Sequence, residues 1–142
     1  MEKSQAILLK IKSAFPGLLG TGVVPAPRRV YLDVPNDIFL DVLKYAQKDL
    51  KFKHLCTITG LDTGEHFEFI YHIANTEGVV LNIKITAPRE DSEIPSVLPI
   101  YEGAIFYERE LEGILGVKVK GLPEGRQYPL PDNWPKDQHP LR

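Results

Sequence analysis

The sequence holds a single cysteine, Cys56. One thiol excludes an internal disulfide, a four-thiolate iron–sulfur cluster and a structural zinc site built on cysteines. Basic charge is not in excess either: 17 Lys and Arg are interspersed with 19 Asp and Glu, for a net charge of −2. Such a chain projects no field to hold a phosphate backbone, so no nucleic acid is expected among its partners. No apolar run approaches the roughly 20 residues of a membrane span. The opening MEKSQAILLKIKSAF mixes charge into the apolar residues where a secretory signal needs an unbroken apolar core. Both absences lead us to expect a cytosolic or peripherally membrane-bound chain. The glycines of TGVVPAPRR and TGLDTGE match neither G-x-G-x-x-G nor a Walker pattern, which leaves nucleotide binding without support. No serine or cysteine sits in a recognisable nucleophile elbow.

What is present is enough for one core, since 142 residues at 43% hydrophobic bury roughly 70% of the unfolded surface in a single domain. Ala6, Ile7, Leu9, Ile11 and Ala14 recur at near-helical spacing, and Pro16-Gly17 ends the pattern, which predicts a helix from Glu2 to Phe15. GLLGTGVVPAPRRV is turn-rich. Val30, Leu32 and Val34 then alternate with Arg29, Tyr31 and Asp33 as a half-buried strand that stops at Pro35. Phe39, Leu43, Ala46 and Leu50 form the stripe of a second helix, with Asn36 or Asp37 as its cap. HLCTITGLD and HFEFIYHI, joined through DTGE, read as a hairpin, and VVLNIKITA as a third strand of an antiparallel meander. Pro88 to Pro99 is polar and proline-punctuated, and a last helix is expected from Ser96 or Tyr101 through Leu115. The remainder, KGLPEGRQYPLPDNWPKDQHPLR, is too poor in apolar residues to build a core of its own. We therefore expect a two-layer α+β domain over residues 1–120, with helices on one face of a mixed, mostly antiparallel sheet, and an extended proline-rich tail over 121–142.

Charge in the last helix raises the main question. FYERELEGILGV places Glu108, Arg109, Glu110 and Glu112 among apolar neighbours. Glu108 and Glu110 point about 200° apart on a helix and cannot act together as acid and base. Glu108 and Glu112 share a face but no histidine accompanies them, so a solvated face is the expectation there rather than a metal site. Arg109, beside Ile105 and Phe106, should meet protein, and a buried guanidinium needs a carboxylate or carbonyl partner. His54, His66, His72 and His139 are scattered; His66 and His72 share a strand face about 20 Å apart, which excludes joint ligation. In the tail, Arg126, Tyr128, Trp134, His139 and Arg142 are aromatic and cationic side chains of the kind that bind across a partner surface. A strip folded back on its own domain is the other reading.

Tyr107-Glu108-Arg109-Glu110 with Gly116, followed by Gly121, Asp132, Trp134 and His139-Pro140-Leu141-Arg142, resembles the thirty-kilodalton subunit of proton-pumping NADH:quinone oxidoreductase and its relatives in membrane-bound energy-converting hydrogenases. The likeness extends over LCTITGLDTGEHFEFIYHI, VVLNIKI and PSVLPIYEGAIFYERELEGILGVKVKG. Gly113 stands where the quinone-reducing branch usually has an aspartate, and Gly121 to Gln127 lacks that branch's histidine and Asp-Leu-Arg-Arg run, so the chain looks closer to the hydrogenase-type branch. The resemblance implies a non-catalytic subunit with no cofactor of its own, peripheral on the cytoplasmic face of the membrane. Its partners would be a large subunit that holds a nickel–iron or quinone site, an iron–sulfur subunit and, through the complex, the membrane arm. It implies docking through Tyr107, Glu108, Arg109, Glu110, Arg126, Tyr128, Trp134, His139 and Arg142. The alternatives are a stand-alone interaction module and a small enzyme without cofactor.

Overall fold

The computed structural model describes residues 2–18, 20–125, 130, 133–135 and 137–141. Helix α1 (Glu2–Ala14) buries Ser4, Leu8 and Ile11, a stripe at helical spacing. Strands β1 (Val23–Ala26) and β2 (Arg29–Asp33) follow, then helix α2 (Phe39–Lys48), which buries Phe39, Val42, Leu43 and Ala46. Strands β3 (His54–Asp62), β4 (His66–Ala74) and β5 (Val80–Pro88) form the meander. The short strand β6 (Glu93–Pro95) precedes helix α3 (Ile105–Leu115), and β7 (Lys118–Lys120) comes after it.

The main sheet has the order β1-β2-β5-β4-β3, with β2 and β5 parallel and the other neighbours antiparallel. The fold is thus α+β on a mixed, mostly antiparallel sheet. Register places Phe67 opposite Ala87, Phe69 opposite Ile85, Tyr71 opposite Ile83, and Ile73 opposite Leu81. All eight are buried, as are Val30 and Leu32, which pair with Leu81 and Ile83 from β2. Because side chains alternate along a strand, this register puts one apolar surface beneath the helices. Each large side chain removed from water there contributes about 1.5–3 kcal/mol. Helix α3 lies hard against β3: a Cβ at Gly60 would sit 2.5 Å from Leu111 Cδ2 and 2.8 Å from Leu115 Cδ1.

Four local expectations change. Asn36 does not cap α2; its amide donates to the Thr86 carbonyl at 2.9 Å, and the residue at the cap, Ile38, makes no side-chain bond. The turn-rich stretch after α1 contains β1. Helix α3 begins at Ile105, after a single 3-10 turn over Glu102–Ala104, not at Ser96 or Tyr101. Beyond Gly116 the chain first adds β7, which runs parallel to β6.

Candidate functional site

The buried stripe of the last helical segment is Ala104, Glu108, Leu111 and Leu115, spaced four, three and four apart. Glu108 therefore occupies a core position and is 0% exposed, which overturns the expected solvated face. Its carboxylate accepts a hydrogen bond from the Ser96 hydroxyl at 2.6 Å and one from the Val97 backbone N–H at 2.9 Å. Ser96 Oγ in turn accepts the Leu98 N–H, and the Ser96 N–H donates to the Lys120 carbonyl at 2.8 Å. One carboxylate thus clamps the segment after β6 to α3, while the backbone beside it is tied to β7.

Burial pushes the Glu108 carboxyl above its ordinary range, against the opposing pull of the Ser96 and Val97 hydrogen bonds; the charge of Glu112 adds to the rise. Glu112 is also raised, chiefly by burial, while the bond from the Val119 N–H and the charge of Arg109 act the other way. Tyr71, whose hydroxyl has no hydrogen-bond partner among the described residues, is raised by burial and then by the Glu108 charge.

The other charges of the motif, Arg109, Glu110 and Glu112, are half-buried, and Glu112 accepts the Val119 N–H at 3.3 Å. Arg109 is half-buried rather than enclosed, and its guanidinium makes a long contact of 3.4 Å to the Glu124 carbonyl, the kind of partner its setting called for. Glu110 is half-buried. Tyr107 donates its hydroxyl to the Cys56 carbonyl at 3.0 Å, fastening α3 to β3. Phe106 is 60% exposed.

The described part of the tail returns to the domain. His139 Nδ1–H donates to the Gly113 carbonyl at 3.0 Å, the Leu141 N–H to the Ile114 carbonyl at 3.1 Å, and Trp134 Nε1–H to Gln138 within the tail at 2.9 Å. Gly116, in the left-handed conformation at φ 77° that ends α3, leaves room for this. A Cβ there would lie 2.5 Å from the His139 ring. Of the tail residues proposed for docking, Trp134 and His139 are half-buried on this side of the molecule, and Arg126, Tyr128 and Arg142 lie outside the described residues.

Chemically, the motif is a clamp. Its one enclosed carboxylate has no surface to offer a substrate, and its tyrosine holds a backbone carbonyl. Among the described residues no group of three His, Cys, Asp or Glu side chains is placed to hold a metal ion, and no helix is long and apolar enough to cross a membrane. The interior role of Glu108 was missed in the sequence, although the spacing 104, 108, 111, 115 carried it.

Residues 32–142 match the family described as respiratory-chain NADH dehydrogenase, 30 Kd subunit. A subunit of the F(420)H(2) dehydrogenase of Methanosarcina mazei is 33% identical over 139 aligned positions, covering 93% of this chain and 88% of its own length. Hydrogenase-4 component G of Escherichia coli is 32% identical across 99% of this chain, which spans 26% of that protein. A chain from the membrane-bound sulfane sulfur reductase, an archaeal respiratory membrane complex, superposes with a TM-score of 0.86 at 27% identity, covering 97% of this chain and 82% of that one.

Proposed function

The chain belongs to the 30 Kd subunit family of respiratory-chain NADH dehydrogenase, and from that membership we propose that it is a non-catalytic structural and assembly subunit in the peripheral arm of a complex-I-like redox complex. It docks beside the large subunit, on the cytoplasmic face of the membrane. The nickel–iron or quinone site and the iron–sulfur clusters belong to its neighbours. Support comes from the way the motif is used: Glu108 and Tyr107 spend their polar atoms on Ser96, Val97 and Cys56 of the same chain. A carboxylate so enclosed fixes shape and leaves the half-exposed Arg109 and Glu110, with the exposed Phe106, as the outward surface of α3. Charged rim groups of this kind set register and partner choice more than raw affinity. Relatives named for a dehydrogenase, a hydrogenase and a sulfane sulfur reductase complex fit one scaffold serving different chemistries held by other chains.

Affinity purification of the tagged chain from mildly solubilised membranes of its host, with mass spectrometry and analysis for iron and nickel, tests this reading. Recovery with a large subunit and an iron–sulfur protein is the expected result, and nickel selects the hydrogenase type. A chain recovered alone and metal-free from the soluble fraction overturns it.

A further inference from the structure

The two edges of the main sheet, β1 and β3, are built differently. Edge β1 is blunted: it has four residues, Pro25 among them, and a register irregularity between Val23 and Ala26. Brevity, proline and irregular register keep an edge from accepting another strand. Edge β3 has nine residues, and its run Leu55-Cys56-Thr57-Ile58-Thr59-Gly60-Leu61 holds no charge and no proline. Thr57, Thr59 and Leu61 are exposed. A β-prone, uncharged edge of this length is a template for a further strand.

Which backbone groups β3 offers follows from the register. The Thr63 N–H donates to the His66 carbonyl at 3.0 Å, so Thr63 and His66 are a hydrogen-bonded pair that closes the β3–β4 hairpin. Such pairs alternate along antiparallel strands. Leu61, Thr59 and Thr57 therefore turn their N–H and C=O toward Glu68, Ile70 and His72 of β4, whereas Gly60 and Ile58 turn theirs away from the sheet. Carried across to β5, the same alternation directs the Lys84 carbonyl toward β2, and there it accepts the Val34 N–H at 2.9 Å. Among the described residues no hydrogen bond reaches the outward groups of Ile58 or Gly60. The Ile58 side chain is buried, and Gly60 faces Leu111 of α3, so this stretch of edge is backbone alone. It ends at the irregularity between Leu55 and Thr57, where Tyr107 already holds the Cys56 carbonyl. Beside that end lies a groove of about 430 Å³ lined by Leu55, Ile100, Tyr101 and Tyr107 alongside Lys53 and Glu102.

We propose that an extended segment of a neighbouring subunit adds to β3 as a further strand, bonding main chain to main chain at Ile58 and Gly60 and sending an apolar side chain into this groove. Unpaired N–H and C=O groups at two-residue spacing are matched by an extended backbone, and the groove supplies the side-chain preference. The inference rests on the subunit reading above and names a backbone contact that reading leaves open. A second copy of this chain fits less well. Paired antiparallel with its Gly60 opposite Ile58, it brings its own turn, Thr63-Gly64-Glu65, toward the groove and has no apolar side chain there to fill it.

Amide hydrogen exchange, read residue by residue by mass spectrometry on the full chain alone and in its complex, tests this. Alone, the amides of Ile58 and Gly60 exchange freely while those of Thr57, Thr59 and Leu61 are protected by β4. In the complex, Ile58 and Gly60 slow by about a hundredfold, and one segment of another subunit gains protection at alternate amides. The inference fails if Ile58 and Gly60 are already slow in the chain alone, which means that its own tail covers the edge. It fails equally if they slow only as the concentration of the isolated chain rises, which means a second copy. Slowing in the complex without alternate protection in a neighbour overturns the added strand, since plain occlusion then accounts for it. An intact complex in which Ile58 and Gly60 stay fast overturns the strand and leaves the subunit reading standing. A chain found without any other subunit overturns both.

Discussion

Glu108 is the place where one substitution separates the clamp from a merely buried charge. Truncation by Glu108→Ala strands the Ser96 hydroxyl and the Val97 N–H, both enclosed and bonded to the carboxylate at 2.6 and 2.9 Å. Each buried group left without a partner costs about 1–3 kcal/mol, and the empty volume adds to that. A loss of about 3–5 kcal/mol is expected, a large part of the roughly 5–15 kcal/mol that holds a domain together. Glu108→Gln keeps an acceptor for Val97 and a polar neighbour for Ser96 without a charge to desolvate, so its loss stays under about 2 kcal/mol. Urea unfolding with an unchanged m-value reads both. The pH dependence gives the stricter test. Since burial raises the folded-state carboxyl above the ordinary 4.5, the native state binds the proton more tightly than the unfolded chain. The stability that protonated Glu108 contributes is full below the unfolded value and is lost as pH rises through the folded one. The difference in stability between wild type and Glu108→Gln must therefore shrink as pH climbs from acid toward neutral. A difference that grows with pH would show the carboxylate to be the favoured form, with its two hydrogen bonds outweighing burial. A Glu108→Ala loss below about 1 kcal/mol would refute the clamp itself.

Three further outcomes follow from the interior and the tail. Tyr71→Phe removes a buried hydroxyl that has no partner among the described residues; stability should hold or rise by about 1 kcal/mol in the same urea assay. Gly60→Ala places a methyl 2.5 Å from Leu111 Cδ2, and pushing α3 off β3 should cost about 1–3 kcal/mol, visible as a lower melting temperature. His139→Ala releases the hydrogen bond to the Gly113 carbonyl. Limited proteolysis of the isolated chain should then cut after Gly121 several-fold faster than in wild type, while the melting temperature of the domain stays nearly unchanged.

How far the chain could be read from its sequence depended on how local the determining contacts are. The meander β3-β4-β5 was legible because each strand runs nine residues, burial alternates without a break along β4, and the connection at DTGE is short. Strand β1 was not, since its four residues include Pro25, tolerated on a sheet edge, and its turn uses Arg28 where hairpins favour glycine. Strands β6 and β7 are three residues each and pair across the intervening helix, so no local pattern announces them. The Asn36 cap was a sound local inference overridden by a carbonyl fifty residues away.

Glu108 failed for a different reason. The periodicity marked it as a core position, and its residue type argued it back to the surface. Following the pattern instead would have required a donor for the carboxylate among residues packed on α3. The polar, proline-broken segment between β5 and α3 is the nearest part of the chain able to supply one, and it does so through Ser96 and Val97. The tail obeys the same logic. Gly116 thins the end of α3 where an extended strip must approach, and His139 takes that space while its ring bonds the Gly113 carbonyl. A charge on a core stripe and a glycine at a helix end are each weak signals alone. Each becomes informative once one asks which group elsewhere in the chain must satisfy it, because a buried carboxylate without donors would not survive the cost of its own desolvation.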